Sequence, residues 1–284
     1  VAFLTPSVRA LRTSLTLSSL AGILLSGTAL AADLPPRAAA PLFTPIPVFA
    51  WTGAYFGPNG GYAYTESDTL RTTGIGALQA NVTNDLRRAN VALPKDGFSF
   101  GGQAGYNFQL TPGTGFVFGF ETDAQYLDLA RSRTETIFRP AINPNVLRNV
   151  YAADLDFLGT VRGRVGYAFD RVLVYGTGGF AYGTTTLAAV FRTGTPVTYA
   201  GSRSGLETGY AYGGGIEYAI PANSFLDLTG SLQMTVKAEY LRYDLGSRTV
   251  LIPSRGGPGV GYNIESRTEG ALARVGLNFG FGSY

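Results

Sequence analysis

Between residues 115 and 128 the chain alternates without a slip. Phe116, Phe118, Phe120, Ala124 and Tyr126 take one set of positions, and Glu121, Asp123 and Gln125 take the other. Successive side chains of an extended strand point to opposite faces, so this segment carries rings on one face and ionised groups on its reverse. The pattern recurs. At 99–110 Phe100, Ala104, Tyr106, Phe108 and Leu110 alternate with Ser, Gly, Gln and Asn, and at 267–282 Ala273, Val275, Leu277, Phe279 and Phe281 oppose Arg274 and Asn278. With 39 Gly, 18 Phe and 17 Tyr in 284 residues, and only 14% charged, the chain reads as all-β and as neither a helical bundle nor a disordered polyelectrolyte.

Eight alternating segments are expected, near 51–65, 96–110, 115–128, 151–169, 171–185, 205–220, 232–246 and 267–282. Each is long enough for the 9–11 residues of a tilted membrane strand. Long connections (66–95, 129–150, 186–204, 247–266) follow every odd strand, while shorter ones follow the even strands. Strict alternation gathers the long connections at one end, which is the habit of outer-membrane barrels. The fold class expected is therefore an all-β, eight-stranded antiparallel up-and-down transmembrane barrel, occupying 51–284.

The charges decide which face looks inward. An eight-stranded barrel has an interior just wide enough for side chains, too narrow for all these rings. Rings facing lipid and charges paired inside is the arrangement that works. The expected lumen set is Glu121, Asp123, Asp154, Asp156, Arg162, Arg164, Glu217, Lys237, Glu239 and Arg274. Isolated charges there are costly, so a paired network is expected, and such a network plugs the lumen. In 151–169 the apolar face reads Leu155, Phe157, Val161, Val165, Tyr167 and Phe169, with Asp154, Asp156, Thr160, Arg162 and Arg164 opposite. The segment 171–185 is ambiguous in phase, and Pro58 removes one ladder donor from the first strand. Trp51, Tyr55, Tyr62, Tyr126, Tyr167, Tyr240 and Tyr243 are expected as girdles at the membrane interfaces.

The first 31 residues read as an export signal: Arg9 and Arg12, an apolar run from Leu15 to Leu25, then Ala29-Leu30-Ala31. Residues 32–50 form a Pro/Ala-rich leader expected in the periplasm. The chain has no cysteine and no histidine, which removes thiol nucleophiles, imidazole bases and zinc sites built on either. No cofactor is indicated, and "GTGGFAYG" at 176–183 lacks the strand-to-helix context of a nucleotide loop. A formal charge of +3 is too small to suggest nucleic acid. The long connections are rich in arginine, and Arg87, Arg88, Arg131 and Arg133 are candidates for contact with lipopolysaccharide phosphates, which guanidinium forks bind well.

"WTGAYFG" at 51–57, followed by Asn59, Gly61 and Tyr62, resembles the first-strand signature of the small alphaproteobacterial outer-membrane β-barrel ("porin family") proteins. These are similar in architecture to the transmembrane domain of outer membrane protein A. "GFETD" at 119–123, "DFLGTVRGRVGYAFDRVLVYGTGG" at 156–179, "GGGIEYAI" at 213–220, "AEYLRYDLG" at 238–246 and "RVGLNFGF" at 274–281 extend the likeness over nearly all the chain beyond the leader. The resemblance implies location in the cell outer membrane, insertion by the barrel assembly machinery, and roles in envelope integrity and surface contact. Three other readings compete with this one. They are a narrow porin-like channel for ions or small solutes, a barrel enzyme, which would generally use a histidine the chain lacks, and a soluble carrier with an apolar lumen.

Overall fold

The computed structural model describes residues 48–66, 69–194, 197–221, 233–256 and 259–280. The expected signal segment, nearly all of the leader and the chain end from Phe281 onward lie outside these residues. The described strands are β1 (Gly53–Thr65), β2 (Thr69–Gly74), β3 (Asn90–Ala92), β4 (Asp96–Gln109), β5 (Thr114–Leu127), β6 (Arg131–Arg139), β7 (Asn143–Phe169), β8 (Val172–Thr193), β9 (Val197–Ala219), β10 (Gln233–Pro253) and β11 (Gly261–Gly280). One short helix, α1 (Gln79–Thr83), lies between β2 and β3.

Eight of these strands form a closed antiparallel ring in the order β1-β4-β5-β7-β8-β9-β10-β11, with β11 pairing back onto β1. Closure removes both sheet edges and satisfies the backbone within the wall. Pro58 sits at the closing seam. The β1–β11 ladder stops at Phe56↔Phe279 and resumes at Asn59↔Gly276, so the absent N–H falls where no rung is made.

The wall turns its rings outward. Phe98, Phe100, Phe108, Phe116, Phe118, Phe120, Phe180 and Val275 are all exposed on the barrel's outer surface. In β8 the ambiguous phase resolves, with Leu173 and Tyr175 inside and Val174 and Phe180 outside. A contiguous apolar band of this extent on a folded chain marks contact with hydrocarbon.

The long connections differ from expectation: they are largely strand. β8 and β9 keep pairing from Thr186↔Ser204 up to Thr193↔Val197, and β10 and β11 from Ser247↔Arg267 to Pro253↔Gly261. β6 adds to the upper part of β7, β2 to β11, and β3 to β2. A dome thus stands on the barrel, its strands in the order β6-β7-β8-β9 and β10-β11-β2-β3, the two groups joined above the end of the β9–β10 ladder at Tyr210↔Asp244 by the isolated bridge Tyr199↔Ser254. Its apolar core explains the extension: Leu70, Val91, Tyr151, Leu187, Phe191, Tyr199, Ile252, Tyr262 and Ile264 all pack inside it. Between β3 and β6 side chains bridge the wall instead of a ladder, Arg133 Nη1 donating to the Ala92 carbonyl at 2.9 Å and Arg131 to that of Asp96. Pro94 follows β3 and has no N–H to continue the pairing.

Candidate functional site

The axis of the molecule is filled in storeys. At the short-turn end Phe49, Trp51, Val117, Ala168, Leu173 and Ala219 pack together, and Trp51 donates from Nε1 to the Asp170 carbonyl at 2.9 Å. Above this lies the charged storey, then a layer of Leu127, Leu155, Leu158, Leu241, Tyr243 and Leu272, and finally the core of the dome.

The charged storey balances four carboxylates, Glu121, Asp123, Glu217 and Glu239, against Arg162, Arg164, Lys237 and Arg274, all of them buried. Each faces inward because it lies on the polar phase of its strand, and neighbouring strands bring opposite charges into register, as in Glu121↔Arg162 and Glu239↔Arg274. Arg162 Nη2 meets Glu121 at 2.7 Å and Asp123 at 2.9 Å, while its Nη1 meets Glu239 at 3.2 Å. Lys237 Nζ spans both Glu121 oxygens at 2.8 Å. Arg274 donates from Nε to Glu239 at 2.7 Å and from Nη2 to Asp123 at 3.2 Å. Arg164 pairs with Glu217 at 2.9 Å and stacks 3.9 Å from the centre of the Tyr175 ring. Taking these ions out of water is repaid only because every one has a partner.

Neutral groups supply further bonds, while Asp123 Oδ1, Arg164 Nε and Arg274 Nη1 stay without a hydrogen-bond partner among the described residues. Tyr55 Oη donates to Glu121 and receives from Arg164, each at 2.8 Å, and Tyr175 Oη donates to Glu239 at 3.0 Å. Thr160 donates to Asp123 at 2.6 Å, and Asn278 joins Glu217 to Gln103, both at 2.7 Å. Inward glycines make room for the two phenols. A Cβ on Gly105 would stand 2.5 Å from Tyr55 Oη, and one on Gly215 2.7 Å from Tyr175 Oη. The void beneath, lined by Trp51, Tyr55, Asn107, Glu217, Thr235 and Asn278, measures about 20 Å³, room for about one water.

Several expected positions are corrected. Asp154 and Asp156 do not reach the lumen, because the β7–β8 register shifts between Leu155 and Phe157. This bulge puts Leu155 and Leu158 inside and leaves Asp156 exposed on the outer wall. Tyr55, Trp51 and Tyr243 are not girdle residues. Tyr55 belongs to the charged storey, Trp51 to the plug beneath it and Tyr243 to the leucine layer above. Tyr62, Tyr126 and Tyr240 are exposed on the outer wall, Tyr62 against Phe98 at 5.5 Å and Tyr126 against Phe100 at 5.3 Å. Tyr167 lies half-buried between Phe116 and Phe169.

Of the four arginines considered for lipopolysaccharide, Arg87 is 0% exposed and points into the dome. Arg88, Arg131 and Arg133 keep side-chain exposures of 51%, 39% and 48% along the β3–β6 seam, where Glu135 and Asp96 pair with them. Gln125 and Asn278, read from the sequence on the same face as the inward charges, do face the lumen, whereas Asn59 and Gln103, two positions from inward glycines on their strands, were not singled out for it.

The comparisons with known proteins agree with this architecture. Residues 38–281 match the family described as outer membrane protein beta-barrel domain. The chain is 33% identical over 281 residues to the 31 kDa outer-membrane immunogenic proteins of Brucella melitensis biotype 1 and Brucella suis biovar 1, covering 94% of this chain and 99% of each relative. Among solved structures, the outer membrane protein OprG from Pseudomonas aeruginosa aligns with a TM-score of 0.44 and 12% identity, over 83% of this chain and 99% of that one. Ail, the attachment invasion locus protein of Yersinia pestis, aligns with a TM-score of 0.24 and 14% identity, over 78% and 99%. A closed eight-stranded ring, a ring-bearing outer wall and relatives of the cell outer membrane lead to one conclusion: the chain belongs to the outer membrane protein β-barrel family.

Proposed function

We propose that this protein serves the outer membrane as a closed structural barrel whose working surface is its external dome, and that it carries no solute along its axis. The observation behind the reading is the charge-balanced storey, in which each ion has an oppositely charged partner, capped below by Trp51 and above by the leucine layer. Ion passage through it would require breaking buried pairs, each break costing about 3–5 kcal/mol. A non-enzymatic role agrees with a chain that lacks histidine and cysteine. The two relatives at 33% identity are described as outer-membrane immunogenic proteins, which favours exposure at the cell surface for this chain as well.

Single-channel recording in planar bilayers tests the reading. Purified barrel is expected to leave the baseline unchanged, and uniform, reproducible current steps would replace the scaffold by a narrow channel. We further propose that the assembly machinery of the outer membrane inserts the chain, and that Arg88, Arg131 and Arg133 meet lipopolysaccharide phosphates at the seam. Replacing those three by Ser is expected to weaken lipopolysaccharide binding, and unchanged binding removes this contact from the account.

A further inference from the structure

The dome buries an arginine in a manner unlike the lumen. The Arg87 guanidinium lies 5.1 Å from the centre of the Phe191 ring and 5.8 Å from that of Tyr262. Those rings meet edge to face at 5.2 Å, and Tyr151 and Tyr199 extend the cluster at 5.4 and 5.1 Å. Its hydrogen bonds go to neutral acceptors: Asn149 Oδ1, Thr193 Oγ1 at 2.5 Å and the Arg192 carbonyl at 3.4 Å. Among the described residues no carboxylate bonds to it. A cation faced by π-surfaces and neutral oxygens is held by the chemistry that aromatic cages use for guanidinium and ammonium groups.

The cage and its occupant belong to different parts of the molecule. Asn149, Tyr151, Phe191, Thr193, Tyr199 and Tyr262 stand on β7, β8, β9 and β11, strands of the barrel wall. Arg87 stands on the segment 75–89, which holds only one turn of 3-10 helix and the five residues of α1. The segment is held elsewhere by Val82 in the dome core, by Leu86 packed on Ile137 and Leu147, by Asn81 Nδ2 donating to Tyr262 Oη at 2.9 Å, and by two ion pairs to β6, Asp85 with Arg139 at 2.5 Å and Arg88 with Glu135 at 3.5 Å. Asp85 adopts φ 56°, a left-handed conformation that works against the segment's hold. Burial without a counter-ion also pulls the Arg87 pKa below its ordinary value, the mark of a charge that its site only partly repays.

We propose that the dome contains a cation-recognition cage whose resident occupant is the chain's own Arg87, and that the guanidinium of an incoming side chain takes the same place when segment 75–89 withdraws. The segment is then a strap whose buried latch is Arg87, with the ion pairs of Asp85 and Arg88 to β6 holding its outer side, and the cage beneath it is a binding site for arginine-bearing partners. This goes beyond the scaffold reading and does not depend on it, because the cage is built from dome side chains that take no part in the charged storey.

The absence of cysteine permits a single reporter. Val82→Cys places a thiol on the strap's own buried face, and its rate of reaction with a bulky polar maleimide, on full-length protein folded in detergent micelles, reads strap opening. Adding Arg87→Ser is expected to raise that rate about tenfold, and millimolar guanidinium chloride to bring it back toward the single variant, whereas equal sodium chloride leaves it high. Equal rates in the two variants would overturn the latch, and acceleration that guanidinium does not reverse would overturn the cage. The heat-dependent shift in electrophoretic mobility checks that each variant is folded. Should Arg87→Ser fail that check, Arg87→Lys keeps the charge but loses the planar fork. It is expected to give an intermediate rate that guanidinium lowers, and a rate equal to that of Val82→Cys alone would overturn the latch.

Discussion

Arg162 in the barrel and Arg87 in the dome are both large cations sealed from water, yet they are held by opposite means. Around Arg162 three carboxylates converge, Glu121 and Asp123 from β5 and Glu239 from β10, strands of the closed ring. Around Arg87 there are rings and neutral oxygens, and the backbone that carries it lies outside the ring. The lumen arginine therefore belongs to the wall, and removing it leaves charges stranded in a site that cannot relax. The dome arginine belongs to a strap, which has solvent as an alternative. Rigid walls suit a fully neutralised network, whereas a detachable segment suits an uncompensated latch.

The contrast is sharpest when a lumen charge is removed. Glu121→Gln keeps shape but deprives Lys237 and Arg162 of their shared partner, and a loss of about 3–5 kcal/mol is expected in urea unfolding from lipid vesicles. Replacing Glu217 and Arg164 together by Leu and Met is expected to cost far less than Glu217→Leu alone, about 1 against about 3 kcal/mol, since no ion is then left unpaired. In the dome, Phe191→Leu removes one wall of the cage, with a loss of about 1–2 kcal/mol. That loss is expected as faster hydrogen exchange in the upper β8–β9 hairpin, with the exchange of β5 unchanged. The smallest effect belongs to Asp154→Asn with Asp156→Asn. Lying outside the lumen, the pair is expected to change stability by no more than about 0.5 kcal/mol, and a loss like that of Glu121→Gln would return these carboxylates to the charged storey.

β5 was fully legible from its residues, because both faces alternate cleanly from Phe116 to Leu127 and no bulge intervenes. β7 was legible only beyond its bulge, from Leu158 onward. The adjacent apolar pair Phe157-Leu158 signalled a change of phase, and reading straight through it carried Asp154 and Asp156 to the wrong face. Tyr55 and Trp51 misled for another reason: a ring's chemistry suits a membrane interface, but position outranks it, Tyr55 lying on the inward phase of β1 and Trp51 being buried just before that strand begins. The dome was hidden by arginine. Arg148, Arg192 and Arg267 stand on exposed positions, and their neighbours include the polar Asn149, Thr193, Ser266 and Thr268, so strands that continue above the membrane resembled solvated loops. Arg87 had no local signal at all, since its cage is assembled from β7, β8, β9 and β11, far away in the chain.

Everything above depends on which face of each strand meets hydrocarbon, and β5 gives the cleanest reading. With no native thiol in the chain, nitroxide labels placed singly at residues 116–127 and read for collision with oxygen against a polar nickel complex report lipid contact position by position. The expected result is oxygen accessibility peaking at 116, 118, 120, 122, 124 and 126, with shielding from both reagents at 121, 123 and 125. Peaks at 117, 121, 123 and 125 instead would place the charges outside and the rings at the axis, contradicting the account at its root.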